Sequence, residues 1–326
     1  MFDVITVGSA TIDAFVKTKS DLITIQTPSS QEELIAYPSG TKILITDLQF
    51  MVGGGGTNTA VSLARLGHKV AYLGRLGNDE NAKLVLKLLK KEKVKFIGSI
   101  GKTQTGFSVI LDSIKHDRTI LTYKGAIDNF SFDQIDTKKL KTKWFYCSAL
   151  MGKSFAALKK IAKYAAKNKI KLMFNPSSYL AEKGPEFLKD ILISTDVLVL
   201  NKEEAQYLVG KKTGIELVEA LRSLGPKIAV VTDGHNPTTA SDGMYYYTLK
   251  PSKVRILETT GAGDAFASTL LSGILRKNDL ATCLKMAQTN SESVIQHYGA
   301  KNKLLSYREL MIAMKKTKAN VKKRRL

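Results

Sequence analysis

Four short apolar runs, Trp144–Cys147, Ile170–Phe174, Val197–Leu200 and Ile228–Val231, recur through the middle of the chain with helix-like segments between them. Each is too short for a helix and lacks the polar alternation of a half-wet strand, so each predicts a strand covered on both faces. Strands of that kind, separated by helical segments, point to an α/β fold: a central, mostly parallel sheet flanked by helices. The same rhythm begins earlier. Thr57–Leu66 reads as a helix stopped by Gly67, Lys69–Leu73 as a strand, and Asp79–Lys93 as an amphipathic helix. The last has an acidic start and a basic end, which suits the helix dipole. With 326 residues, 44% hydrophobic and 24% charged, the chain can bury one large core. Disordered, collagen-like and disulfide-scaffold classes are excluded.

No run of about 18 uncharged apolar residues predicts a membrane helix. The opening MFDVITVGSA reads as a first strand and not as a signal peptide. Cys147 and Cys283 form no CxxC pair, which predicts a reduced, cytoplasmic setting and no zinc site. The net charge of +21 comes from 50 Lys+Arg against 29 Asp+Glu, mostly lysine spread along helical faces such as Lys83–Lys95 and Lys159–Lys171. Nucleic-acid readers favour arginine for bidentate contacts, so solvated lysine faces explain the charge first and a field for anionic ligands second. Residues 314–326, with the Lys315–Arg325 run, read as a frayed basic tail.

The four central runs end at Ser148, Asn175, Asn201 and Thr232. In open α/β sheets ligands lie outside the carboxyl ends of the strands, so four polar residues there predict a ligand edge. Turn chemistry alone also produces such residues. Residues of about 12–50 and 105–125 break the rhythm. The first holds strand-like runs around Pro28, Pro38 and Gly40, and the second alternates like a hairpin with Asp112–Arg118 as its turn region. Neither carries its own core. Together they predict a small β-sheet lid, or an oligomer face, on a single domain spanning 1–326.

Two glycine-rich stretches carry the chemistry. Residues 258–266, Glu-Thr-Thr-Gly-Ala-Gly-Asp-Ala-Phe, precede the apolar run Ala267–Leu275. A small-residue turn leading into a helix makes a nest of backbone N–H groups at the helix's positive end, which suits a phosphoryl group in transfer. Asp264, at the helix start, is either an N-cap or a general base. G-x-G-x-x-G fails at Phe266, and Gly101-Lys102-Thr103 has Phe96 where a Walker sequence needs glycine, so neither common nucleotide fingerprint is present. The other stretch, Gly53-Gly54-Gly55-Gly56-Thr57-Asn58, lets backbone approach a ligand closely. There Asn58 either caps the helix or hydrogen-bonds hydroxyls.

Taken together, the stretches resemble the paired signatures of the ribokinase-like, or phosphofructokinase-B type, carbohydrate and nucleoside kinases. Asn58, Gly67 and Gly77 match the first signature, and Glu258 to about Leu271 the second. Asp13, Asn201-Lys-Glu-Glu204 and Thr232-Asp-Gly234 fall in the family's order, so the resemblance covers nearly the whole chain. It implies transfer of the γ-phosphoryl of ATP, with Mg2+, to a hydroxyl of a sugar-like substrate. By the same resemblance, Asp264 is the base and Gly261, Ala262 and Gly263 stabilise developing charge. Asp13, Gly54, Gly55 and Asn58 grip the acceptor. Asn201, Thr232, Gly234 and Thr260 lie along the nucleotide, with adenine near Gln288–Ser291. Asn201 and Glu204 hold magnesium largely through water.

The sequence also departs from the family pattern. Glu258 replaces a usual aspartate near a monovalent-cation loop, leaving potassium activation open, and Thr269 replaces a usual small residue. Gly55 stands where ribokinases carry lysine, and no glutamate lies near Ser148, so ribose is not implied. The resemblance leaves open a sugar, sugar phosphate or nucleoside as acceptor, ATP or ADP as donor, and a homodimer formed through the lid. A catalytically silent sugar-binding or nucleic-acid-binding protein is the alternative of another class.

Overall fold

The computed structural model describes residues 1–18, 21–26, 31–112 and 118–326. In chain order the strands are β1 (Phe2–Val7), β2 (Thr11–Thr18), β3 (Asp21–Gln26), β4 (Gln31–Ala36), β5 (Ile45–Gly53), β6 (Val70–Leu73), β7 (Arg75–Gly77), β8 (Lys95–Phe96) and β9 (Ser99–Gly101). There follow β10 (Gly106–Asp112), β11 (Arg118–Tyr123), β12 (Thr142–Ser148), β13 (Lys171–Asn175), β14 (Val197–Asn201), β15 (Ile228–Asp233), β16 (Asn236–Ser241), β17 (Tyr245–Lys250) and β18 (Asn320–Arg325). The helices are α1 (Gly55–Arg65), α2 (Glu80–Lys91), α3 (Ser154–Lys167), α4 (Ser178–Ala181), α5 (Pro185–Leu192), α6 (Lys202–Val209), α7 (Gly214–Ser223), α8 (Ala262–Leu275), α9 (Leu280–Val294) and α10 (Tyr307–Lys316).

Ten strands form one sheet in the order β18-β17-β16-β15-β14-β13-β12-β1-β6-β8. It is parallel from β8 to β15 and antiparallel beyond. The four apolar runs are β12–β15, and helices cover both of their faces as the unbroken hydrophobicity requires. Phe145, Leu172, Leu198 and Val231 pack with α3, α5, α6 and α7. Their neighbours Tyr146, Met173, Val199 and Val230 pack with α1, α2, α8 and α9. The chain leaves β1 for β6 on one side and later returns to β12 on the other. That switch of direction opens a crevice at the carboxyl ends of β1 and β12.

A separate four-stranded sheet, β11-β10-β2-β5, is built from the two segments that broke the sequence rhythm. The hairpin β10–β11 is antiparallel from Phe107↔Tyr123 to Asp112↔Arg118, and β10 runs parallel to β2. Residues 113–117 of its turn, and Pro28, lie outside the described residues. Among the described residues β3 and β4 do not join this sheet and pair with each other. β2 already has β5 and β10 on its two edges, so its backbone groups are used.

Two boundaries differ from the sequence reading. α8 begins at Ala262, five residues ahead of the apolar run, because its first turn is made of small residues facing the site. Asp79 is not inside α2 but caps it, accepting from Ala82 N at 2.8 Å. The basic C-terminus is a larger correction. Asn320–Arg325 does not fray but forms β18, paired with β17 over six residues. Lys323 Nζ lies 3.6 Å from the Tyr245 ring centroid. Backbone pairing and cation–π contact hold the strand while its charges stay in water.

Candidate active site

α1 and α8 pack against each other, and each begins on a glycine where a side chain would collide. Gly54 caps α1 at φ +92°, where a Cβ would lie 2.6 Å from Ser9 O. Gly261 caps α8 at φ +79°, where a Cβ would meet that of Ala300 at 2.5 Å. The helices then run in contact, with Ser268 Oγ donating to Ser62 Oγ at 2.7 Å in the core. This packing brings two residues 206 positions apart together: Asn58 Nδ2 donates to Asp264 Oδ2 at 2.8 Å.

Asp264 is therefore not the cap of its helix. It stands in the first turn of α8 and faces a cavity of about 330 Å³, a size that suits a small molecule. A Cβ at Gly55 would lie 3.5 Å from Asp264 Oδ1 and 3.1 Å from Ser148 Oγ, so the bare backbone of Gly55 opens the space beside the carboxylate. Burial pushes the Asp264 carboxyl up to about 6, helped by the charge of Asp13 and opposed by the Asn58 amide and the Lys301 ammonium. A carboxylate in that range is suited to take a proton near neutral pH.

The four strand-end residues Ser148, Asn175, Asn201 and Thr232 all line the cavity, as the sequence reading requires of a ligand edge. Ser148 Oγ and Ser177 Oγ are buried there with no hydrogen-bond partner among the described residues, so both hydroxyls are available to a molecule in the cavity. Gly55, Gly261, Gly263 and Glu204 also line it. Ala262 differs from expectation, since its N–H donates to Thr259 O at 3.1 Å. Asp13, Gly54 and Asn58 do not line the cavity, although Asn58 holds Asp264, which does. Asp13 is buried on β2 and accepts from Thr11 Oγ1 at 2.7 Å. Gly234, in the turn after β15, and Thr260, before α8, lie outside the lining. So do residues 288–291, although Ser291 Oγ donates to Ala262 O at 3.1 Å.

Asn201 and Glu204 form a capping box on α6: Asn201 Oδ1 accepts from Glu204 N at 2.8 Å, and Glu204 Oε2 from Asn201 N at 3.0 Å. Burial raises the Glu204 carboxyl above its ordinary range. Oxygen donors so few in number fit a magnesium ion shared with water and phosphate, and not an all-protein cage. Glu258 accepts from Gly299 N at 2.7 Å. Thr269, buried, accepts from Asn290 Nδ2 at 2.7 Å, which accounts for a hydroxyl at that position.

Sequence reasoning passed over Lys124, Asp128, Tyr179 and Lys301. The first three line the cavity, Lys124 Nζ lying 5.2 Å from the Tyr179 ring centroid. Lys301 is buried behind Asn58. A lysine among so many carries no signal, and only the fold separates these two from the surface ones.

The sequence matches the pfkB family carbohydrate kinase description over residues 2–306. The chain belongs to that family. It is a carbohydrate kinase of ribokinase-like fold. An "uncharacterized sugar kinase" of Archaeoglobus fulgidus is 27% identical over 246 residues, covering 75% of this chain and 98% of the relative. A 5-dehydro-2-deoxygluconokinase of Clostridium perfringens is 27% identical over 288 residues, covering 82% and 85%. Among solved structures, ribokinase of Arabidopsis thaliana, complexed with ribose and ATP, superposes with a TM-score of 0.80 at 20% identity, covering 96% of this chain and 99% of that one. A nucleoside kinase of Methanocaldococcus jannaschii superposes at 0.77 with 20% identity, covering 97% and 99%. Both are similar in fold. No helix among the described residues is long and apolar enough to cross a membrane.

Proposed function

We propose that this kinase moves the γ-phosphoryl of ATP to a hydroxyl of a small sugar or sugar-like acceptor, with Asp264 as the general base. The observation that carries the reading is Asp264 itself: a carboxylate of raised basicity, held by Asn58, at the start of a helix and open to a cavity with unpartnered hydroxyls. Asp264 Oδ1 takes the acceptor's proton as the new O–Pγ bond forms and the bond to the β-phosphate breaks, releasing ADP. The N–H groups of Gly261 and Gly263, at the positive end of α8, face the charge that develops in transfer. Asp13, Gly54, Gly55 and Asn58 orient the acceptor, and Asn201, Thr232, Gly234 and Thr260 run along the nucleotide. Asn201 and Glu204 would hold magnesium, which when bound neutralises phosphate charge.

The four-stranded sheet acts as a lid that excludes water, since Asp13 reaches the site from it. Its opposite face carries Leu48, Phe50, Leu121 and Tyr123, all largely exposed, and a second copy of the chain would cover them. Two free, buried cysteines support a reducing, cytoplasmic setting.

A specific observation favours an acceptor with an acidic group, such as a sugar phosphate. Lys124 is half-buried in the cavity wall and makes no ion pair within 4 Å among the described residues, although Asp128 is near enough to act on its charge. The test is an ADP-release assay with ATP and magnesium across ribose, fructose, sugar phosphates, sugar acids, inositol and nucleosides, with and without potassium. Turnover of one acceptor class is expected. Turnover of none, with ATP and then with ADP as donor, would refute the reading in favour of a binding protein.

A further inference from the structure

Lys301 belongs to neither glycine-rich stretch, yet its side chain ends beside both. Its Nζ donates to Val52 O at the end of β5 (2.6 Å) and to Asn58 Oδ1 in α1. An ammonium has donors and no acceptor. It therefore admits only one of the two orientations of the Asn58 amide: oxygen toward Lys301 and NH2 toward Asp264. The reverse orientation would set NH2 against an ammonium and an oxygen against a carboxylate. We propose that Lys301 is a positioning residue for phosphoryl transfer, locking the Asn58 amide onto Asp264 Oδ2 so that Oδ1 is left for the acceptor's hydroxyl. This rests on the reading of Asp264 as the base.

The placement of the charge supports a role beyond packing. Burying an ammonium is unfavourable unless it is paired and hydrogen-bonded, and desolvation draws the Lys301 amine down to about 8. What offsets that is the pair of acceptors and the carboxylates of Asp13, Asp264 and Glu92; of these Asn58, Asp13 and Asp264 are parts of the proposed site. The backbone that presents Lys301 is itself held. Arg65 Nη1 donates to Lys301 O at 3.0 Å and to Leu304 O at 3.4 Å, while its Nη2 pairs with Glu92 at 2.7 Å. A connected set of contacts thus runs from Glu92 through Arg65 and Lys301 to Asn58 and Asp264.

The groups acting on Asp264 are Asn58 from α1, Lys301 from the segment after α9 and Asp13 from β2, while the Asp264 charge in turn raises the Tyr146 hydroxyl of β12. Lys301 is the only cation among them, with Arg65 and Glu92 acting on Lys301 in turn. Replacing it removes both the lock on the amide and the nearby positive charge. Both losses disfavour the ionised carboxylate, so the proton is held to higher pH.

The experiment compares wild type, Lys301→Met and Lys301→Gln by following the Asp264 carboxyl carbon with 13C NMR across pH 4–9, its signal assigned with Asp264→Asn. In parallel, kcat/KM is measured against pH. In Lys301→Met the carboxyl midpoint and the acid limb of kcat/KM should both rise by about one pH unit or more. Lys301→Gln, which keeps a donor for Asn58 without the charge, should fall between. Unchanged midpoints in folded variants would overturn the proposal, as would failure of both variants to fold, which assigns Lys301 to stability alone. A shifted NMR midpoint in a protein that phosphorylates nothing would instead refute the kinase base and leave the Lys301–Asn58–Asp264 coupling standing.

Discussion

Gly53 is where an added methyl group meets the Asp13 carboxylate first. A Cβ built there would lie 1.7 Å from Asp13 Oδ2, 2.4 Å from its Cγ and 2.7 Å from Oδ1. Ordinary heavy-atom contact begins near ~3.5 Å, so the carboxylate must move by more than about an ångström, and the overlap is with the side chain and not with backbone. Gly53→Ala should therefore swing Asp13 away from Thr11 Oγ1 and from the acceptor's hydroxyls. A hydrogen bond to a charged group contributes about 1.5–3 kcal/mol, so KM for the acceptor should rise about 10- to 150-fold. Turnover at saturation should change much less, because Asp264 and Asn58 are untouched, and KM for ATP should stay near its wild-type value. Overpacking should also cost about 1–3 kcal/mol of stability. The assay is coupled ADP release over an acceptor titration, with thermal melting as the control and Asp13→Asn as the variant without a steric conflict. An acceptor KM within twofold of wild type in both variants would show that Asp13 does not hold the acceptor, and the reasoning would fail.

Asp264→Asn should lower turnover about 10²- to 10⁴-fold through loss of the base, and unchanged turnover would remove Asp264 from that role. As the proposed base, Asp264 would act ionised, and burial pushes its carboxyl up to about 6. kcat/KM, which reports the free enzyme, should then fall as pH drops through 6, to about a tenth of its plateau at pH 5; a limb near pH 4 would contradict the burial argument. Lys124→Met should lower kcat/KM for an acidic acceptor at least about tenfold while sparing neutral sugars; equal effects on both would place Lys124 outside acceptor recognition. Deleting residues 320–326 should lower Tm by about 2 °C or more, since β17 loses its partner and Tyr245 its cation; an unchanged Tm would make the strand dispensable.

Much of this was legible in the chain itself. Residues buried on both faces of a sheet must be apolar without interruption, and β12–β15 announce themselves that way. Where such strands end, the backbone turns and polar residues appear, so Ser148, Asn175, Asn201 and Thr232 mark the crevice before any coordinates are known. Gly54 and Gly261 are equally readable, because tight approach to Ser9 and Ala300 admits no side chain. Less visible were features whose local chemistry has two outcomes. Asp264 at a helix start can cap it or face away from the cap, and the neighbour it meets instead, Asn58, is 206 residues away. The basic run at 320–325 looks solvated because its side chains are, while its backbone is paired.

The sequence by itself determined the fold class, the ligand edge and the two glycine-capped helices, because burial, chain reversal and close approach each restrict residue type at the position concerned. Only the tertiary structure decided which of so many lysines matter. Lys124 enters the cavity wall and Lys301 reaches Asn58 from a segment beyond α9. A charge has no periodicity and carries no mark of its partner. Its effect depends on the distance and dielectric around it, and packing alone sets both.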